Sequence, residues 1–108
     1  MTDTPDSASP QPAPSLTTRE RAALKARAHA LEPVVRVGHA GVTDAVVAEI
    51  DRALEAHELI KVKIGEGDRD ERVAHAATIA ARTAAAVVQR VGRVLILWRP
   101  RPELRPHG

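Results

Sequence analysis

The chain has no cysteine, no phenylalanine, no tyrosine and a single tryptophan, Trp98, in 108 residues. Without cysteine there are no disulfides, thiolate zinc sites or cysteine nucleophiles. Trp98 alone cannot build a platform for stacking bases, as RNA-recognition motifs and OB-folds have. Any nucleic acid held by this chain is therefore held through its phosphates and shape. Serine occurs only at positions 7, 9 and 15, all in a Pro- and Ala-rich lead segment, so no G-x-S-x-G nucleophile elbow exists. No apolar run approaches the length of a membrane span. The first residues, MTDTPDSASPQPAPS, lack the basic start and apolar stretch of a secretory signal. The expectation is a cytoplasmic protein with no membrane association.

Apolar residues make up 44% of the chain. With aromatics missing, the core must be built from Val, Ile, Leu and Ala, as two packed layers can be. The net charge of +2 hides a gradient. Residues 1–15 hold two aspartates and no base; they carry −2, which leaves +4 for residues 16–108. From Arg90 onward there are five arginines against one glutamate. Such a body is compatible with a polyanionic partner. Residues 1–15 read as a disordered tail, and residues 101–108 as a basic Pro/Arg tail in which prolines prevent a regular helix. One domain is expected over residues 16–100.

Inside those bounds the pattern is regular. Thr17 or Thr18 can cap a first helix carrying Leu24, Ala28 and Leu31 on one stripe and Arg21, Lys25 and His29 on another, with Pro33 stopping it. VVRV (34–37) reads as a short strand. Thr43 can cap a second helix, DAVVAEIDRALEAH, whose buried stripe is Val46, Val47, Ile50 and Leu54. LIKVKI alternates, with Ile60, Val62 and Ile64 facing one way and Lys61 and Lys63 the other. EGDRD reads as a turn, and ERVAHAATIAARTAA as a third helix packing through Val73, Ala76, Ala77 and Ala80. AVVQRV and RVLILWR read as two strands joined at Gly92-Arg93, where glycine in the first turn position suits a type II′ hairpin. The order α-β-α-β-α-β-β predicts a single compact α/β domain with a mixed four-stranded sheet and helices packed on it. The first two strands, joined through a helix, should be parallel and the last two antiparallel.

Motifs for enzyme chemistry are incomplete. HELIK (57–61) begins like the zinc-protease signature, but Lys61 stands where its second histidine belongs. The histidines at 29, 39, 57, 75 and 107 show no metal-ligand spacing. IGEGDRD has two glycines of a dinucleotide fingerprint, with Asp70 in place of the third and acids where a pyrophosphate would lie. No G-K-[ST] is present. No cofactor or metal is expected.

The remaining motif is Gly38-His39-Ala40-Gly41, between the first strand and the second helix. Glycines at a strand-to-helix turn often serve the turn alone. This loop, however, sits at a helix start, where free N–H groups favour an anion. Arg36 flanks it, and no acid occurs between Pro33 and Asp44. Two glycines let a phosphate backbone approach closely, as the G-x-x-G loop of KH domains does. Arg21, Lys25, Arg36, Lys61 and Lys63 are the candidate charge partners. Both readings, turn and phosphate cradle, stand at this point.

Taken together, LEPVVRVGHAGVTDAVVAEI, ALEAHELIKVKI and the closing GRVLILWRP resemble the CRM domain (chloroplast splicing and ribosome maturation) in its small stand-alone bacterial form, the YhbY-like proteins. The resemblance covers roughly residues 16–100. It implies a fold similar to the C-terminal domain of bacterial translation initiation factor three. It implies RNA binding through the loop, carried here by Gly38, His39, Ala40 and Gly41, and association with precursors of the large ribosomal subunit. The chain departs from the family pattern at Trp98, where tyrosine is common, and at His39-Ala40, where small polar residues are common. The expectation is a non-enzymatic RNA-binding protein assisting large-subunit assembly. The alternatives are a protein-interaction module whose glycine loop is only a turn and, less supported by the residues, a small enzyme acting on a phosphate ligand. Oligomeric state is left open.

Overall fold

The computed structural model describes residues 14–100; most of the expected N-terminal tail and all of the expected C-terminal tail lie outside the described residues. The elements are α1 (Thr18–Ala28), β1 (Pro33–Val37), α2 (Asp44–His57), β2 (Leu59–Ile64), α3 (Arg69–Thr83), β3 (Ala86–Val91) and β4 (Val94–Trp98). This is the expected order of three helices and a four-stranded mixed sheet.

Each helix starts where a side chain satisfies its first free amides. Thr17 caps α1 and exchanges hydrogen bonds with Glu20 in a capping box. Thr43 caps α2, its Oγ1 accepting from the Val46 amide. Asp68 caps α3 in a second capping box with Glu71. That cap starts α3 at Arg69, two residues before the expected Glu71, so Arg69 and Asp70 belong to the helix and not to a turn.

The sheet order is β1-β2-β4-β3. β1 and β2 are parallel, and β4 lies antiparallel between β2 and β3. Two residues, Gly92 and Arg93, join β3 to β4. The positive φ of 57° falls on Gly92 and not on Arg93, as a type II′ turn requires.

Period-two alternation divides the core in two. On one face Val35, Val37, Ile60, Val62, Ile64, Leu95 and Leu97 meet Ile50 and Leu54 of α2 and Ala76 and Ile79 of α3. On the other face α1 lays Leu24 and Ala28 over Leu59, Val88 and Ile96, with Trp98 packed at the margin. The buried stripe of α3 is Ala76, Ile79 and Thr83. This differs from the expected stripe: Ala77 and Val73 are exposed and Ala80 is only half-buried. In an alanine-rich helix, the largest aliphatic residue, Ile79, decides which face goes inward, because it has the most apolar area to bury. Thr83 is buried there with its hydroxyl donating to the Ile79 carbonyl at 2.7 Å.

β3 carries an irregularity that resets its alternation. Val87 pairs with Leu97, yet Gln89 pairs with Ile96, so one residue is extra. Val88 and Gln89 thus both lie on the α1 side of the sheet, and Arg90, paired with Leu95, turns to the α3 side. The chain closes with Arg99, whose guanidinium donates to Asp51 Oδ1 at 2.8 Å and to the Thr83 carbonyl at 2.6 Å. This ties the end of β4 to α2 and α3. Among the described residues no helix is long and apolar enough to cross a membrane.

Candidate nucleic-acid interface

Because β1 and β2 are parallel and β4 antiparallel to both, three connections gather at one end of the sheet. They are the β1–α2 loop, the β2–α3 loop and the β3–β4 hairpin. The first of these is the G-x-x-G segment. It is a closed turn, with the Gly41 amide donating to the Gly38 carbonyl at 3.0 Å and the Thr43 amide donating to the Gly41 carbonyl at 3.1 Å. His39 and Ala40 are exposed at its tip.

The two glycines have different reasons to be there. Gly41 has φ +79°, a conformation that disfavours any side chain, and His75 of α3 lies behind it, its Nε2 3.6 Å from where a Cβ would be. Gly38 has no positive φ, and a Cβ placed on it would meet nothing within 4 Å. The turn accounts for Gly41; nothing in the fold accounts for Gly38.

Of the candidate charge partners, Arg36 and Lys63 stand next to the loop. They are paired across the parallel strands β1 and β2, one residue before those strands end. They lie on the α1 side of the sheet, where α1 does not reach and Val34 is 51% exposed. The Arg36 guanidinium extends along the sheet end to Gly65, where an added Cβ would be 3.3 Å from its Nη1. Like charges placed directly opposite cost a few tenths to about 1 kcal/mol, so this pair is no help to the fold.

The structure sets the other cations apart. Arg21 donates from Nη1 to the carbonyls of Val87 and Val88, at the β3 irregularity, the latter at 3.0 Å. Lys61 Nζ donates to the Leu31 carbonyl at 3.0 Å, closing the α1–β1 connection. Both side chains are committed to backbone oxygens, and Lys25 sits half-buried on α1. One acid, Asp44, stands in the first turn of α2. Its exposed carboxylate is engaged by Arg82 at 2.8 Å, which offsets its charge near the loop.

Sequence reasoning passed over two features of this end. One is His75, which braces the loop from α3; nothing in its surroundings in the chain marks it. The other is a hollow of about 290 Å³ lined by Arg69, Arg72, Arg90 and Arg93 among others. The arginine density after residue 90 was a signal for it, but Arg90 is aimed there by the extra residue of β3, which no periodicity reveals. Among the described residues, no group of three or more His, Asp or Glu side chains could hold a metal ion.

Residues 16–99 match the CRS1 / YhbY (CRM) domain. The chain belongs to that family. A relative from Haemophilus influenzae named RNA-binding protein is 44% identical over 91 residues, covering 84% of this chain and 92% of that one. YqeI of Bacillus subtilis, named a probable RNA-binding protein, is 32% identical over 88 residues, covering 82% of this chain and 92% of YqeI. The solution structure of SAV1595 from Staphylococcus aureus, described as a hypothetical protein and a candidate RNA binder, superposes with a TM-score of 0.73 at 28% identity. It covers 84% of this chain and 95% of the other. Membership in the CRM family thus agrees with the sheet and helices described above.

Proposed function

We propose that this CRM domain binds structured RNA, with Gly38–Gly41 receiving a backbone phosphate and Arg36 and Lys63 neutralising the charge beside it. The observation that carries the reading is Gly38. It has open space and an unstrained φ, yet it leaves the backbone bare directly after β1, in the loop that leads to α2. A backbone that must be approached closely by a ligand is a reason for glycine there. The names of the relatives from Haemophilus influenzae and Bacillus subtilis support RNA as the partner. Lys25 adds charge from α1, while Arg21 and Lys61 serve the site by holding β3 and the α1–β1 connection. The RNA is ribosomal, in precursors of the large subunit, and the protein acts in the cytoplasm as an assembly factor without catalysis; the support is its likeness to the YhbY-like form.

The test is the double substitution H39D/A40D. Both residues are exposed, so folding should survive by circular dichroism and thermal melting. Two carboxylates at the phosphate contact should reduce RNA affinity at least tenfold, about 1.4 kcal/mol. A well-folded double variant with wild-type affinity returns the loop to a turn. Sequencing the RNA that cross-links to the protein in growing cells tests the ribosomal assignment, and recovery of other transcripts alone would refute it.

A further inference from the structure

The hollow at the hairpin end of the sheet has no part in the loop site. Its walls come from Arg69 and Arg72 at the start of α3, Arg90 at the end of β3 and Arg93 in the hairpin turn. No carboxylate lines it. Arg72 donates to the Gly67 carbonyl at 3.1 Å and Arg93 reaches the same oxygen at 3.5 Å, which sets two guanidiniums side by side. Arg69 and Arg90 are exposed at its rim. The α3 amides are not the attraction here, because Asp68 and Glu71 already occupy that helix start. Four arginines around one hollow concentrate positive charge where an anion could enter.

The chain builds this cluster through two departures from regularity. The extra residue in β3 turns Arg90 to the α3 side; without it Gln89 would face that way and Arg90 would join the α1 side. Arg21 of α1 holds the carbonyls of Val87 and Val88 at that irregularity. Guanidinium groups present paired donors that suit a phosphate oxygen pair. The hairpin lies two to three strands from β1, about 10–14 Å at the usual strand spacing. One phosphate cannot serve both this hollow and the Gly38–Gly41 loop; a nucleotide chain can.

We propose that the hollow framed by Arg69, Arg72, Arg90 and Arg93 is a second backbone-phosphate site, so that one RNA is held at both ends of this sheet edge. The inference rests on the RNA-binding reading above. Arg69 and Arg90 are the residues to test, since Arg72 and Arg93 also hold Gly67. Binding of a labelled RNA stem-loop is measured across a salt series for the full chain, for R69Q/R90Q, for H39D/A40D, and for R19Q/R52Q. The last removes the same charge from exposed positions on α1 and α2 outside the hollow's lining.

R69Q/R90Q should keep its melting temperature, bind at least tenfold more weakly, and lose about 0.7–0.9 from the slope of log affinity against log salt, the share of one phosphate contact. R19Q/R52Q should change the slope by less than half of that. If the double variant melts early, R69Q and R90Q separately should each weaken binding and lower that slope more than R19Q/R52Q does. Equal losses in R69Q/R90Q and R19Q/R52Q, with H39D/A40D still weakened, overturn the second site and leave the loop reading intact. No salt-dependent binding by the unmodified chain removes both. Competition at fixed ionic strength separates phosphate sources. Inorganic phosphate that displaces the stem-loop from the unmodified chain as well as unlabelled RNA does would mark a free-phosphate site and overturn the two-point reading.

Discussion

Replacing Gly38 by alanine separates a turn from a ligand site more sharply than any other single change. The new Cβ meets no atom of the protein within 4 Å, and the backbone there has no positive φ. Such a Gly→Ala change stabilises by about 0.4–1 kcal/mol, because the unfolded chain loses freedom. For a domain of this size that is a rise in Tm of about 2–8 °C. The matched change, Gly41→Ala, forces alanine to φ +79° and should cost about 1–2 kcal/mol, a fall of about 4–16 °C. RNA affinity should move the other way from stability. G38A should bind at least tenfold more weakly at constant salt, about 1.4 kcal/mol, because its methyl group would occupy the space proposed for the phosphate. Thermal melts by circular dichroism and fluorescence anisotropy with one RNA suffice. A G38A protein that melts as predicted and binds RNA as tightly as the parent would refute close backbone approach at residue 38. A G38A protein destabilised by more than 1 kcal/mol would refute the open geometry itself.

Three further outcomes test the fold. Ala84 ends α3 with φ 54°, so Ala84→Gly should raise stability by about 1 kcal/mol in urea unfolding; no gain would mean the left-handed cap is not populated. Arg99, only 21% exposed in its side chain, links Asp51 to the Thr83 carbonyl. Arg99→Ala should therefore cost about 1.5–3 kcal/mol, and a loss below 0.5 kcal/mol would show the latch to be idle. Ile79→Ala should cost about 2–5 kcal/mol, whereas Ala77→Ser should stay within about 0.5 kcal/mol; similar losses at both would place the wrong face of α3 inward.

The caps, the hairpin and the β2 alternation were readable in the sequence because each is set by residues a few positions apart. Thr17 with Glu20, Thr43 before Asp44, and Gly92 in a two-residue turn all act locally. Asp68 with Glu71 is equally local, yet the glycines around it read as a turn and the start of α3 was placed late. The features that the sequence does not show depend on distant partners. The inward face of α3 is set by what Ile79 meets on the sheet, and an alanine-rich helix offers little contrast to show it. The central place of β4 follows from pairing between β2 and β4 that no local pattern encodes. The glycine loop was legible as a motif, but the division between Gly41, needed by the turn, and Gly38, not needed by it, is visible only in three dimensions. Arg21 and Lys61 looked like surface charge because their carbonyl partners are 66 and 30 residues away in the chain.

Two helices begin at the same end of the sheet with opposite kinds of cap. α3 is closed by the carboxylate of Asp68, with Asp70 and Glu71 beside it in the first turn. α2 is closed by the neutral hydroxyl of Thr43, and the one acid in its first turn is engaged by Arg82. An incoming anion therefore faces one helix that already holds an anion of its own and one that does not. The rim is asymmetric before any ligand arrives, so the proposed RNA would have a preferred way round along it, with the open helix start, Arg36 and Lys63 on the β1 side and the four-arginine hollow on the hairpin side. On that proposal, orientation on the ligand would follow from the choice of threonine over aspartate at one cap, and exchanging the two caps would reverse it.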